Sequence, residues 1–105
     1  MIVAMNTIRI KKGHGEEIIE RFQNPKEIGK FEGFLGLEVL KKLNGKDEDQ
    51  IRICTRWVDE ASFNVWLHSP EFKASHSKSA EERENSPLLG ADFALLEVAI
   101  SSDNN

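Results

Sequence analysis

The chain has 105 residues, 39% hydrophobic and 30% charged, which is enough for one hydrophobic core and excludes a second catalytic domain. Fourteen Lys and Arg against eighteen Asp and Glu leave a net charge of −4, the wrong sign for gripping phosphate backbones, so nucleic acid is not an expected partner. Cys54 is the single cysteine; an internal disulfide is excluded, no Cys/His cluster exists for zinc, and a reducing cytoplasm is the expected setting.

Residues 2–10 are rich in β-branched side chains and read as a first strand, ending at the glycines of Lys11-Lys-Gly-His-Gly15. This start alternates and lacks a basic region ahead of an apolar block, so no signal peptide is expected, and no apolar run reaches the roughly 20 residues that cross a bilayer. Residues 16–23 place Ile18, Ile19 and Phe22 at helical spacing behind an acidic first turn, giving a helix that stops near Asn24-Pro25. Ile28 and Phe31 point to one more irregular helical turn within residues 26–33. Residues 34–43 and 50–58 read as two strands of a hairpin closed at Asn44-Gly45, a dipeptide that favours positive φ. Asp59 caps a helix carrying Phe63, Trp66 and Leu67 to about His68, and Ser69-Pro70 restarts it as a second segment. Residues 75–90 form a long polar connection, of a length that marks either a functional lid or disorder. Residues 91–100 supply the last strand, so one domain is expected over 1–100 with a disordered tail over 101–105.

This order predicts an α+β fold, a ferredoxin-like sandwich with a four-stranded antiparallel sheet and helices on one face. In the last strand Ala94, Leu96, Val98 and Ile100 alternate with Phe93, Leu95 and Ala99, so both faces need cover. Two short helices shield one face; a second copy of the chain is the economical cover for the other, which predicts a homodimer with sheets face to face, a dimeric α/β barrel.

Four kinds of residue stand out. Asn6 is the one polar member of the row Ile2, Ala4, Asn6, Ile8, Ile10, and an unpaired amide there costs about 1 to 3 kcal/mol, so it needs a partner in the fold or in a ligand. His76 lies four residues after Phe72 and shares its helix face; it has no companions for a zinc site, but one neutral imidazole suffices as an axial ligand to haem iron. His14 and His68 read as surface residues, and Trp57 and Trp66 as core or interface aromatics. Cys54 alternates with Arg52 and Arg56, which places it on the sheet face opposite the helices with no identifiable activating base. There is no GxGxxG, Walker, HExxH or GxSxG motif and no Tyr, so an enzyme built on this chain draws its hard chemistry from a cofactor.

Asn6, residues 56–76 (Arg-Trp-Val-Asp-Glu-Ala-Ser-Phe-Asn-Val-Trp-Leu-His-Ser-Pro-Glu-Phe-Lys-Ala-Ser-His), residues 31–39 (Phe-Glu-Gly-Phe-Leu-Gly-Leu-Glu-Val) and Glu20-Arg-Phe22 together resemble the IsdG-type haem-degrading monooxygenases of the antibiotic biosynthesis monooxygenase superfamily. The resemblance implies a dimer binding haem between helices and sheet, with haem as both substrate and cofactor, opened by O₂ and electrons from an external donor such as a reductase, with release of iron. It implies His76 as axial iron ligand, Asn6 as the distal amide and Trp66 as the bulky wall that distorts the macrocycle, with Phe22 and Phe72 lining the pocket and residues 77–90 as a lid. The same superfamily leaves two other readings: a cofactor-free monooxygenase acting on an aromatic or quinol-like substrate, and a haem carrier or sensor that does not turn over.

Overall fold

The computed structural model describes residues 1–23, 27–76 and 87–102, with side chains described for all of these except 74–76. In chain order the elements are β1 (Ile2–Lys11), α1 (Gly15–Arg21), a 3-10 turn (Ile28–Lys30), β2 (Phe34–Lys41), β3 (Glu48–Trp57), α2 (Glu60–Leu67), α3 (Pro70–His76) and β4 (Leu88–Glu97). The strands form one antiparallel sheet in the order β2-β3-β1-β4, the ferredoxin-like arrangement that the sequence pattern predicts. No helix among the described residues is long and apolar enough to cross a membrane.

β1 sits at the centre and sets the register. It pairs with β3 along its whole length, from Ile2 opposite Trp57 to Lys11 opposite Glu48. β4 pairs on its other side, with an irregularity between Arg9 and Ile10. Here the expected last strand shifts: it runs over Leu88–Glu97, not 91–100. Glu97 already faces Ile2, and Val98 N–H donates to the Met1 carbonyl at 3.0 Å, so β1 offers no further partner and Val98 and Ile100 fall outside the sheet.

The core lies on the helix side of the sheet and is split in two. One cluster gathers Ala4, Ile28, Trp57, Phe63 and Trp66; the other gathers Ile10, Ile18, Ile51 and Ile53. Trp57 and Ile51 are fully buried, and the Trp57 indole N–H donates to Thr55 Oγ1 at 2.9 Å, which satisfies its one polar group. The opposite face carries Met5, Cys54, Glu38 and Ala94, aligned across the four strands, flanked by Leu40 and Leu96 at 44% exposure each. Cys54 therefore stands where alternation places it, away from the helices.

Local rules account for the connections. Asn44 takes the left-handed conformation (φ 61°) in the β2–β3 link, and the link runs over residues 42–47, two residues earlier than the expected 44–49. Asp59 caps α2 by accepting from Ser62 N–H at 2.8 Å. Ser69 Oγ accepts from Phe72 N–H at 3.1 Å and donates to the Trp66 carbonyl at 2.6 Å, so one hydroxyl ends α2 and starts α3, with Pro70 at the first helical position. Residues 24–26, 77–86 and 103–105 lie outside the described residues, and with them the expected stop at Asn24-Pro25, most of the expected lid and most of the expected tail.

Candidate functional site

Asn6 lies at the seam between the two clusters. Ala4, and Ile2 packed beside it, belong to one; Ile8 and Ile10 belong to the other. Across the sheet Asn6 is paired with Ile53 of β3 and Phe93 of β4, so its side chain shares their helix-facing surface. The side chain is half-buried, and its amide makes no hydrogen bond to a described residue. A polar group in an apolar row is normally paired within the fold. Here the donor and acceptor reach solvent, since among the described residues the buried side-chain atoms without a partner are Glu48 Oε2 and Arg56 Nε, and the amide is open to a ligand.

Aromatic rings stand on the same side. Trp66 is 8% exposed and is held edge-on by Phe31 at 5.0 Å and by Phe72 at 5.6 Å, the latter with ring planes at 89°. Phe31 comes from the loop after the 3-10 turn and Phe72 from α3, so two segments far apart in the chain hold one indole of α2. Gly33 permits this closeness: it has φ +88°, a Cβ there would clash with Ser62 Oγ of α2, and its carbonyl accepts from Val58 N–H at 2.9 Å. Phe22, just past the end of α1, is half-buried and packs on the Ile10–Ile18–Ile51–Ile53 cluster, across the seam from Trp66 and Phe72. His76 is the last residue of α3, four positions beyond Phe72; its side chain lies outside the described ones.

Two further contacts escape a reading of the sequence. Phe93 stacks on Phe63 with centroids 5.8 Å apart and planes inclined by 14°. Alternation puts an aromatic on that face of β4 but does not say which helix residue it meets. The second is Asp49, buried at the start of β3, whose Oδ2 accepts from Gly15 N–H at 2.9 Å and Gly13 N–H at 3.0 Å. The Gly15 bond, more than any other influence, holds its carboxyl below the usual carboxylate range; burial opposes this, and the Gly13 bond and the Lys41 and Lys12 charges reinforce it. This latch fixes the β1–α1 loop and thereby α1.

The remaining candidates are placed as follows. His14 Nδ1 lies 3.0 Å from Glu17 Oε1 on the surface, and His68 Nδ1 donates to the Asn64 carbonyl at 2.9 Å. Burial pushes the Cys54 thiol up, and the Glu38 carboxylate adds to the effect, which disfavours the thiolate a nucleophile needs. Among the described residues no group of three or more His, Cys, Asp or Glu could hold a metal ion. Asn6, Phe22, Trp66 and Phe72 carry side chains that do not act as an acid or base. The arrangement suits a flat apolar molecule that brings its own reactivity and presents a polar group to the amide.

A family model described as antibiotic biosynthesis monooxygenase matches residues 1–78, a span that contains Asn6, Phe22, Trp66, Phe72 and His76. A haem-degrading monooxygenase of Halalkalibacterium halodurans is 45% identical over 78 residues, which cover 74% of this chain and 67% of that protein. A Bacillus cereus protein assigned to the antibiotic biosynthesis monooxygenases has the same fold, with TM-score 0.84 and 26% identity, over 98% of this chain and 97% of that one. The haem-degrader MhuD of Mycobacterium tuberculosis, solved with two haems in its active site, gives TM-score 0.75 and 25% identity over 98% of this chain and 100% of that one.

Proposed function

The chain belongs to the antibiotic biosynthesis monooxygenase family, and from that premise we propose that it is a haem-degrading monooxygenase whose substrate is bound between the helices and the sheet. The observation that carries this reading is the Asn6 amide, half-buried in an apolar row and without a partner among the described residues. A tetrapyrrole supplies what the site lacks, a wide flat apolar surface with a polar centre. The haem-degrading relative at 45% identity supports the same choice.

In this reading haem is both substrate and reaction centre, and when bound it supplies the oxygen chemistry that opens its own ring, using O₂ and electrons from an external donor such as a reductase, with release of iron. The chain's residues do the rest. His76, at the end of α3, would hold the haem iron through a neutral imidazole. Asn6 would donate its amide hydrogen bond to the bound substrate and orient it. Trp66, locked between Phe31 and Phe72, would form a rigid wall that strains the bound substrate. Phe22 and Phe72 exclude water from the apolar flanks. Residues 1–100 act as one domain, and a second copy covers the Met5–Cys54–Leu96 face in a homodimer. The setting is the reducing cytoplasm.

The test is to add one equivalent of hemin to the purified protein, record the Soret band, then add ascorbate or a reductase in air with catalase present. Loss of the band with iron release is the expected result. A band that forms and persists makes the protein a carrier, and no band at all moves the function to a cofactor-free oxygenase on an aromatic or quinol-like substrate.

A further inference from the structure

Asn6 and Phe93 are register partners across β1 and β4. Paired residues of antiparallel strands project to the same side with Cβ atoms about 4.5 to 5.5 Å apart, so the Phe93 ring stands next to the amide. Its far neighbour is Phe63, which is 4% exposed and braced in turn edge-on by Trp57 at 6.0 Å. Phe93 is thus seated on the core by a nearly parallel stack, yet it remains 58% exposed. More than half of an anchored aromatic ring is left in water beside the one unpaired amide of the row. A ring in that state has apolar surface to offer and little freedom to turn away.

We propose that Phe93 is a specificity-determining residue of the haem site: its ring forms the β4 wall against which one edge of the macrocycle seats, and so sets which meso carbon lies over the Asn6 amide. This rests on the haem-degradation reading. Two consequences distinguish a wall from a packing residue. Contact with the flat ligand buries the exposed part of the ring and contributes to affinity. A rigid stop fixes the in-plane position of the macrocycle, and small displacements of a reacting centre change rates strongly, so removing the stop redistributes attack among the meso carbons.

The experiment compares the full-length wild type with Phe93→Ala and Phe93→Leu, by hemin titration and by chromatography of the ring-opened products. Leucine keeps apolar bulk for Phe63 while removing the flat ring, so it reports on the wall if the alanine variant is unstable. The expected result is a hemin Kd raised roughly tenfold or more in Phe93→Ala, from the lost apolar contact. In both variants the ratio of product isomers shifts by about threefold or more, or a second isomer appears. A lowered melting temperature with affinity and isomer ratio unchanged reduces Phe93 to a prop for Phe63 and overturns the proposal. Failure of the wild type itself to take up hemin overturns the haem reading and this inference together, whereas a defect confined to the variants isolates Phe93.

Discussion

Trp66 meets Phe72 edge-on at 5.6 Å with ring planes at 89°, across the break that Ser69 makes between α2 and α3. The indole is therefore coupled to the helix that ends at His76. Trp66→Ala removes a buried ring and costs about 3 to 5 kcal/mol of stability, which confounds any activity measurement. Trp66→Phe is the sharper variant. Hemin binding should persist within about threefold while the rate of Soret loss falls by roughly tenfold or more, because the smaller ring no longer forces the macrocycle out of plane. A wild-type rate in Trp66→Phe removes the distorting role.

Asn6→Ala separates stability from turnover. The amide bonds no described residue, so its loss should leave the chemical-denaturation midpoint within about 0.5 kcal/mol of wild type. Hemin should still bind, and degradation should slow by about a hundredfold for want of the distal donor. If turnover is retained and stability drops, the amide serves the fold and not the ligand.

His76→Ala should lose the axial ligand. The expected readout is a Soret band that is shifted or absent in the variant at equal hemin, with no ring-opened product. Exogenous imidazole should restore part of the wild-type spectrum. A variant with an unaltered spectrum and unaltered turnover assigns the iron to another residue.

Asp49 gives a pH prediction with a definite sign. Its folded carboxyl titrates below the usual value, chiefly through the Gly15 N–H bond, so its stabilising contribution is present above about pH 4 and is lost as pH falls through the lowered value. Asp49→Asn cannot ionise, and its melting temperature should therefore depend less on pH between about 4 and 2 than that of wild type. Equal pH slopes for the two proteins would show that the latch is not electrostatic.

The uncovered sheet face predicts a dimer at micromolar concentration by analytical ultracentrifugation. Leu96→Glu places a charge opposite Val3 and two residues along β4 from Ala94, on that same face, and should shift the population to monomer. A monomeric wild type leaves that face to another partner.

The strands, their order and the broken second helix were legible because alternation, Asn44-Gly45 and Ser69-Pro70 are local signals that long-range packing does not override. The end of β4 was not, since it is decided by where β1 begins; only the pairing of Glu97 with Ile2 reveals it. Asn6 stood out as a single polar residue in an apolar row, a one-dimensional pattern. Phe93 did not, because its significance depends on a register partner and on a stack with Phe63 from a separate element. Asp49 was invisible for a different reason: its partners are backbone N–H groups, which every residue has.

The division of the core has a consequence for how such a scaffold changes over time. Ile2 and Ala4 are committed to one cluster and Ile8 and Ile10 to the other, so altering any of them disturbs packing. Position 6 belongs to neither, and its occupant is released from cohesive duty. The row therefore keeps one site where a side chain can be exchanged for its chemistry alone, with the sheet unchanged around it. A fold with such a vacancy built into its central strand can host unrelated reactions by substituting a single residue and adjusting the rings around it.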